Sequence, residues 1–60
     1  MPLSGKEMLR LFELQGWTVL RQKGSHVRLQ KGSEHEIVPM HKKLAKGMEM
    51  FLLKRLKEVE

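Results

Sequence analysis

A chain of 60 residues that contains no cysteine must hold its fold together with one small hydrophobic core. Neither a disulfide nor a cysteine–zinc site can reinforce that core. A chain of this length buries only about 60% of the surface that its unfolded form exposes, so the core supplies roughly 3–5 kcal/mol of net stability. We therefore expect residues 1–60 to form a single domain. The lack of cysteine is typical of a protein from a reducing compartment.

The start of the chain lacks the pattern of a signal peptide. Lys6, Glu7 and Arg10 interrupt the apolar residues between Met1 and Leu11. No apolar run in the sequence approaches the length that spans a bilayer. We therefore expect a soluble, cytoplasmic protein without a membrane partner.

Two segments have the apolar periodicity of helices. Ser4 and Glu7 have the spacing of a capping box and Gly16 is a typical helix stop, so we expect the first helix over residues 4–15. The second is expected over residues 47–58. Its apolar residues lie on one stripe, which we expect to fill the core, methionines included. The members of this stripe are Met48, Phe51, Leu52, Leu56 and Val59, with Met50 and Leu53 beside them.

Between the helices the sequence predicts three short strands, over residues 17–22, 25–31 and 35–38. Glycine-containing turns separate them, at Lys23-Gly24 and at residues 31–34, and no internal repeat is apparent. Three strands joined by tight turns form an antiparallel sheet with one face open to solvent. The expected fold class is therefore α+β, in the order α-β-β-β-α, with two helices against one three-stranded antiparallel sheet.

The alternation of residues 25–31 indicates which face of the sheet is the core. Val27 and Leu29 share one face and are apolar, whereas His26 and Arg28 share the other. We therefore expect His26 and Arg28 to face solvent. Trp17 could stack on a nucleic-acid base, but its place at the start of a strand favours a core or boundary position.

The net charge of +5 is concentrated in the middle of the chain. Charges cancel within residues 1–20 and within residues 47–60, whereas the acidic residues of segment 21–46 are Glu34 and Glu36 alone. Charges that only solvate a surface are usually spread along a chain, so this concentration favours a polyanionic partner. No basic amphipathic helix accompanies it, which disfavours a membrane surface. The cations of the segment are Arg21, Lys23, Arg28, Lys31, Lys42, Lys43 and Lys46.

Three motifs lie in register with these elements. Gly24-Ser25-His26 places a histidine beside a glycine turn, Val38-Pro39-Met40-His41 follows the third strand, and Leu44-Ala45-Lys46-Gly47 opens the last helix. In this order, and beginning from Ser4-Gly5-Lys6, the sequence resembles the HicA family of small toxins. These are the ribonuclease half of HicA–HicB toxin–antitoxin pairs, and the resemblance covers nearly the whole chain.

The resemblance implies a fold similar to the double-stranded-RNA-binding domain, with both helices on one sheet face. It also implies cleavage of messenger RNA that depends on His26, and a HicB-like antitoxin that covers the His26 face. His41 is expected either to orient its loop or to contact phosphate, and His35 to be a solvated strand-end residue. The residues expected to bind RNA are Lys23, Gly24, Ser25, Arg28, His41, Lys42, Lys43 and Lys46.

No metal or cofactor is expected for this chemistry. The three histidines lack the short spacings of zinc sites, and the sequence has neither cysteine nor aspartate to assist them. RNA carries its own nucleophile, the 2′-hydroxyl, so His26 need only transfer a proton, as base or as acid, while Arg28 and Lys23 stabilise charge. Two other functions stay open. One is an RNA-binding domain of the same fold that does not cleave, and the other is a protein-binding domain that meets an acidic partner.

Overall fold

The computed structural model describes residues 2–59 and contains the five elements in the predicted order. The strands pair in the order β1-β2-β3, and both pairs are antiparallel. The predicted α+β fold, similar to the double-stranded-RNA-binding domain, is therefore confirmed. The elements are helix α1 (Gly5–Leu14), strands β1 (Thr18–Lys23), β2 (His26–Lys31) and β3 (Glu34–Pro39), and helix α2 (Lys46–Glu58).

Helix α1 begins at the predicted capping box. The Glu7 backbone N–H donates to the Ser4 hydroxyl at 3.0 Å, and the Ser4 N–H donates to the Glu7 carboxylate at 2.9 Å. The hydrogen bond from the Ser4 backbone, with the Ser4 side chain second, holds the pKa of Glu7 below its usual value. At the other end Gly16 has a φ of 93°, which a residue with a side chain rarely adopts.

Both β-hairpins turn on a glycine followed by a serine. Gly24-Ser25 joins β1 to β2, Gly32-Ser33 joins β2 to β3, and each glycine has a φ of 59°. A left-handed glycine at the first turn position suits a tight hairpin between twisted strands. The predicted position of the first turn is wrong by one residue. Lys23 is the last residue of β1, and Ser25 lies in the turn rather than in β2.

Each turn is supported by a glutamine side chain in the same way. This similarity corrects the expectation that the chain has no internal repeat. Gln22 donates its side-chain amide to the carbonyl oxygen of Gly24 at 3.0 Å, and Gln30 donates to that of Gly32 at 2.9 Å. The sequence Gln-Lys-Gly-Ser thus occurs twice and forms the same turn twice. Only the first copy is followed by a histidine.

The core lies between the two helices and one face of the sheet, as predicted. Among residues 2–59 no polar or charged residue is buried in it. Trp17 is 3% exposed and packs edge-on against Phe12, with ring centroids 5.1 Å apart, so its predicted core position is confirmed. The buried apolar residues are Met8, Phe12, Trp17, Val27, Leu29, Val38, Leu44, Leu52 and Leu56.

The prediction that the whole apolar stripe of α2 fills the core is wrong. Leu52 and Leu56 are buried and Val59 packs against the core, but the other members are 39–60% exposed. At about 100° per residue, the residues next to Leu52 point to the side of the core or away from it. The exposed members are Met48, Met50, Phe51 and Leu53. Within residues 2–59, neither helix is long and apolar enough to cross a membrane.

Backbone hydrogen bonds hold the loop that follows β3 against the start of the chain. The Met40 N–H donates to the Ser25 carbonyl at 2.6 Å, and the Gly5 N–H donates to the His41 carbonyl at 2.8 Å. Gly5 is buried there, and a Cβ on it would lie 2.0 Å from the Pro39 carbonyl oxygen. The loop therefore has a defined position beside the Gly24-Ser25 turn. Helix α1 packs against this loop at Gly5, so closely that a side chain at position 5 would not fit.

Candidate active site

His26 is the first residue of β2, and it lies on the open face of the sheet. Val27 and Leu29 are buried on the helix side, whereas His26 and Arg28 are exposed, so the predicted alternation is confirmed. In the strand register His26 lies opposite Lys23 of β1 and opposite Pro39 of β3. Directly opposed residues share a face, so Lys23 accompanies His26 on the open side.

A β-bulge in β1 determines which of its side chains join His26. Val19 pairs with Leu29, but Arg21 pairs with Arg28, so Leu20 is the extra residue. Uninterrupted alternation from Val19 would turn Arg21 and Lys23 toward the helices. With the bulge, Arg21 and Lys23 lie on the same open face as His26 and Arg28.

These side chains line one open depression in the sheet surface. Five of the predicted site residues meet there: His26 with Lys23, Gly24, Ser25 and Arg28. The depression also contains Arg21 and Ile37, which the sequence did not assign to the site. Arg21 was recognised only as one of the central cations, because alternation alone does not reveal a bulge. Nothing in the sequence distinguished Ile37 from a core residue of β3.

The depression is positively charged, because the nearby carboxylates bind an arginine of α2. None of its described lining residues is acidic. The two carboxylates of segment 21–46 bind Arg55 of α2, with Glu36 at 2.8 Å and Glu34 at 3.1 Å. The hydrogen bond to Glu36, followed by that to Glu34, raises the pKa of Arg55 above its usual value. The guanidinium lies 6.0 Å from the centre of the Trp17 ring, which places it on the helix side of the sheet.

The four remaining predicted RNA-binding residues do not line this depression. Lys43 and Lys46 line a separate one at the start of α2, and Lys42 is exposed in the loop before it. His41 is exposed, and its backbone lies beside the Gly24-Ser25 turn through the bonds of Met40 and Gly5. The structure therefore divides the predicted footprint into a part around His26 and a part on the loop.

A second depression adjoins the first on the open face. Arg28 and Ile37 line both, and the second also includes His35 and Glu36, although the Glu36 carboxylate binds Arg55. His35 is exposed and lies opposite Gln30, as expected of a solvated strand residue. The two depressions form a continuous surface that runs from His26 across β2 to β3.

The arrangement around His26 has the chemical equipment to bind an anion and to move a proton next to it. Histidine is the side chain best suited to proton transfer near neutral pH, and three cationic side chains line the depression with this one. All of these groups are accessible to solvent. Within residues 2–59, no three histidine, aspartate or glutamate side chains are grouped as metal ligands.

Comparison with known proteins identifies the family. A family model described as the HicA toxin of bacterial toxin–antitoxin systems matches residues 5–57, which is nearly the whole chain. Comparison with curated proteins and with solved structures gives no significant match. The match includes every strand and the Gly24-Ser25-His26 turn, and it ends one residue before the end of α2. The chain belongs to the HicA family, the toxins of bacterial toxin–antitoxin systems.

Proposed function

We propose that this toxin is an endoribonuclease that cleaves messenger RNA in the cytoplasm without a metal ion, with His26 as its catalytic residue. The observation that supports this most is the position of His26. It is an exposed histidine on the open sheet face, in a depression lined by Arg21, Lys23 and Arg28 and by no described carboxylate. A proton carrier among fixed cations is the minimum equipment for cleavage of an RNA phosphodiester.

The proposed reaction uses the RNA as its own nucleophile. The 2′-hydroxyl attacks the adjacent phosphorus, a P–O bond forms, and the bond to the 5′-oxygen of the next nucleotide breaks. His26 either accepts the proton of the 2′-hydroxyl or donates one to the leaving oxygen, and solvent supplies the other transfer. Lys23 and Arg28 stabilise the charge on the phosphate oxygens. General acid–base catalysis by one residue typically contributes 10²–10⁴-fold, which makes this a slow nuclease.

The partner that silences the toxin is proposed to be a HicB-like antitoxin that covers the face of His26 and Arg28. A toxin–antitoxin family implies a cognate antitoxin. The open face carries the exposed cations of β1 and β2, so an acidic or carboxylate-bearing surface would complement it. Covering this face would hide both the proton carrier and the phosphate-binding cations at once.

Chelation distinguishes this mechanism from metal-dependent hydrolysis. We expect RNA cleavage to be unchanged in EDTA, because the proposed reaction uses only His26 and the neighbouring cations. An RNA with a single 2′-deoxy nucleotide at the cut position should resist, because the nucleophile is missing. The measurement is gel-resolved cleavage of the matched RNA pair with and without EDTA. Activity that EDTA removes and magnesium or zinc restores would contradict the mechanism, and binding without cleavage would favour the non-catalytic RNA-binding function.

The two Gly-Ser turns offer a matched test of the Gly24-Ser25-His26 motif. Gly24 and Gly32 have the same φ of 59°, and a Cβ on either would meet nothing within 4 Å. Replacing either with alanine should therefore cost a similar free energy of unfolding, about 1–2 kcal/mol, because alanine is strained in this conformation. Only Gly24→Ala should also lower cleavage, since that turn positions His26. Equal loss of cleavage in Gly32→Ala, at equal stability, would show that the turn next to His26 has no special role.

The loop lysines are proposed to extend the RNA footprint beyond the His26 depression. Replacing Lys42 and Lys43 with alanine should reduce the dependence of RNA affinity on salt by about 0.7 log units per log unit for each phosphate that the loop no longer binds. A double Lys54→Ala, Lys57→Ala variant on the exposed side of α2 removes the same charge and should leave the slope unchanged. Equal slopes for wild type and the loop variant would exclude the loop from the footprint.

A further inference from the structure

We propose that Arg21 is an RNA-binding residue that holds a phosphate group together with Arg28, and that the bulge at Leu20 places it there. The inference rests on the proposed function, since it takes RNA as the ligand of the open face. It adds Arg21 to the site and names its contact. The guanidinium groups of Arg21 and Arg28 bind one phosphate, which is the neighbour of the phosphate at which His26 acts.

The strand register places the two arginines as direct neighbours. Arg21 and Arg28 are opposed across β1 and β2, and both line the depression that contains His26. Arg28 is two residues from His26 along β2, so the pair is roughly 7 Å further along the strand. An extended RNA strand that presents one phosphate to His26 can thus reach the arginine pair with a neighbouring phosphate.

Two like charges in direct opposition destabilise a sheet, so a bound anion would stabilise this pair. Within residues 2–59, neither Arg21 nor Arg28 forms an ion pair, and no acidic residue lines the depression. The two acidic residues of segment 21–46, Glu34 and Glu36, are held by Arg55. A phosphate between the guanidinium groups would relieve the repulsion, and the planar guanidinium matches phosphate with two parallel hydrogen bonds.

The bulge is the feature that distinguishes Arg21 from an arginine that only solvates a surface. It leaves Leu20 unpaired and 47% exposed, which gains nothing for the core. Its effect is to turn Arg21 and Lys23 to the side of His26, and bulges commonly redirect side chains at functional sites. A β1 strand without it would place both cations on the other face, away from the depression.

The test measures binding of a probe that cannot be cleaved. A single-stranded 2′-O-methyl RNA of mixed sequence lacks the nucleophilic hydroxyl, and its Kd is measured from low to moderate salt. Arg21→Gln should reduce the salt slope by about 0.7 and weaken binding about fivefold at 0.1 M salt. The matched control is Arg10→Gln, which removes the same charge from the exposed surface of α1 and should leave the slope and the Kd unchanged.

Thermal unfolding completes the test. Arg21→Gln should unfold at the same Tm as wild type or a few degrees higher in low salt, because it removes a like-charge pair. A lower Tm would assign Arg21 a structural role and overturn the proposal, as would a slope equal to that of wild type. A reduced slope without any cleavage of ordinary RNA by wild type would leave the phosphate contact standing and reject the nuclease. Cleavage by wild type with an unchanged slope in Arg21→Gln would reject the contact alone.

Discussion

Replacing His26 with alanine should abolish RNA cleavage and growth arrest while leaving the fold intact. His26 is exposed on the open face, opposite the buried Val27 and Leu29, so truncating it leaves no cavity. Surface changes of this kind usually alter the free energy of unfolding by less than about 0.5 kcal/mol. Cleavage should disappear because, among the described residues of the depression, His26 is the one histidine and no carboxylate is present to replace it. RNA affinity should persist, since the surrounding cations supply most of it.

The other two histidines provide the controls for this experiment. His35→Ala removes a second exposed histidine from the same sheet face, and His41→Ala removes the one in the loop beside the Gly24-Ser25 turn. Thermal unfolding, RNA affinity and cleavage are measured for all three variants and for wild type. We expect His35→Ala to cleave like wild type. Cleavage by a folded His26→Ala protein would disprove the assignment, and an unfolded one would show that His26 is a structural residue.

Replacing Gly5 with alanine should be the most destabilising change of a single small residue in this chain. A Cβ at Gly5 would lie 2.0 Å from the Pro39 carbonyl oxygen and 2.6 Å from the Met40 Cα, both of them backbone atoms. Forcing extra volume into such a contact typically costs about 1–3 kcal/mol, a large part of the roughly 3–5 kcal/mol available to a domain of this size. The Tm should fall by roughly 5–20 °C.

Gly47 is the matched control for Gly5. It lies in the first turn of α2, and a Cβ there would meet nothing within 4 Å. Gly47→Ala should leave the Tm unchanged or raise it, because alanine is favoured over glycine in a helix by up to about 1 kcal/mol. Similar Tm values for Gly5→Ala and wild type would show that α1 can move away from the loop without cost. RNA cleavage by Gly5→Ala should also change, because Pro39, which the new side chain would displace, lies opposite His26.

Local features of the sequence determined the elements and the open face. Ser4 and Glu7 are three residues apart, so their capping box needs nothing beyond the helix itself. The assignment of His26 to the solvent side followed from Val27 and Leu29, because side chains alternate along any strand. Glycines were correctly placed in the turns because few other residues adopt the left-handed conformation.

Only the tertiary structure revealed that Arg21 and Ile37 also stand around His26, and which apolar residues leave the core. The bulge at Leu20 reverses the alternation of β1 and brings Arg21 to the site, and it is visible only in the pairing of β1 with β2. Phe51 and Met50 of α2 are exposed because tertiary packing determines which side of that helix is buried. The apolar residues of α2 spread over a broad arc, so their periodicity alone is compatible with several buried sides. Gly5 entered the sequence analysis only as part of the Ser4-Gly5-Lys6 motif, without a reason for glycine there, since the atoms that forbid a side chain belong to Pro39 and Met40, more than thirty residues away. Contacts between distant segments carry no local pattern, and that is why these three features appear only in the folded chain.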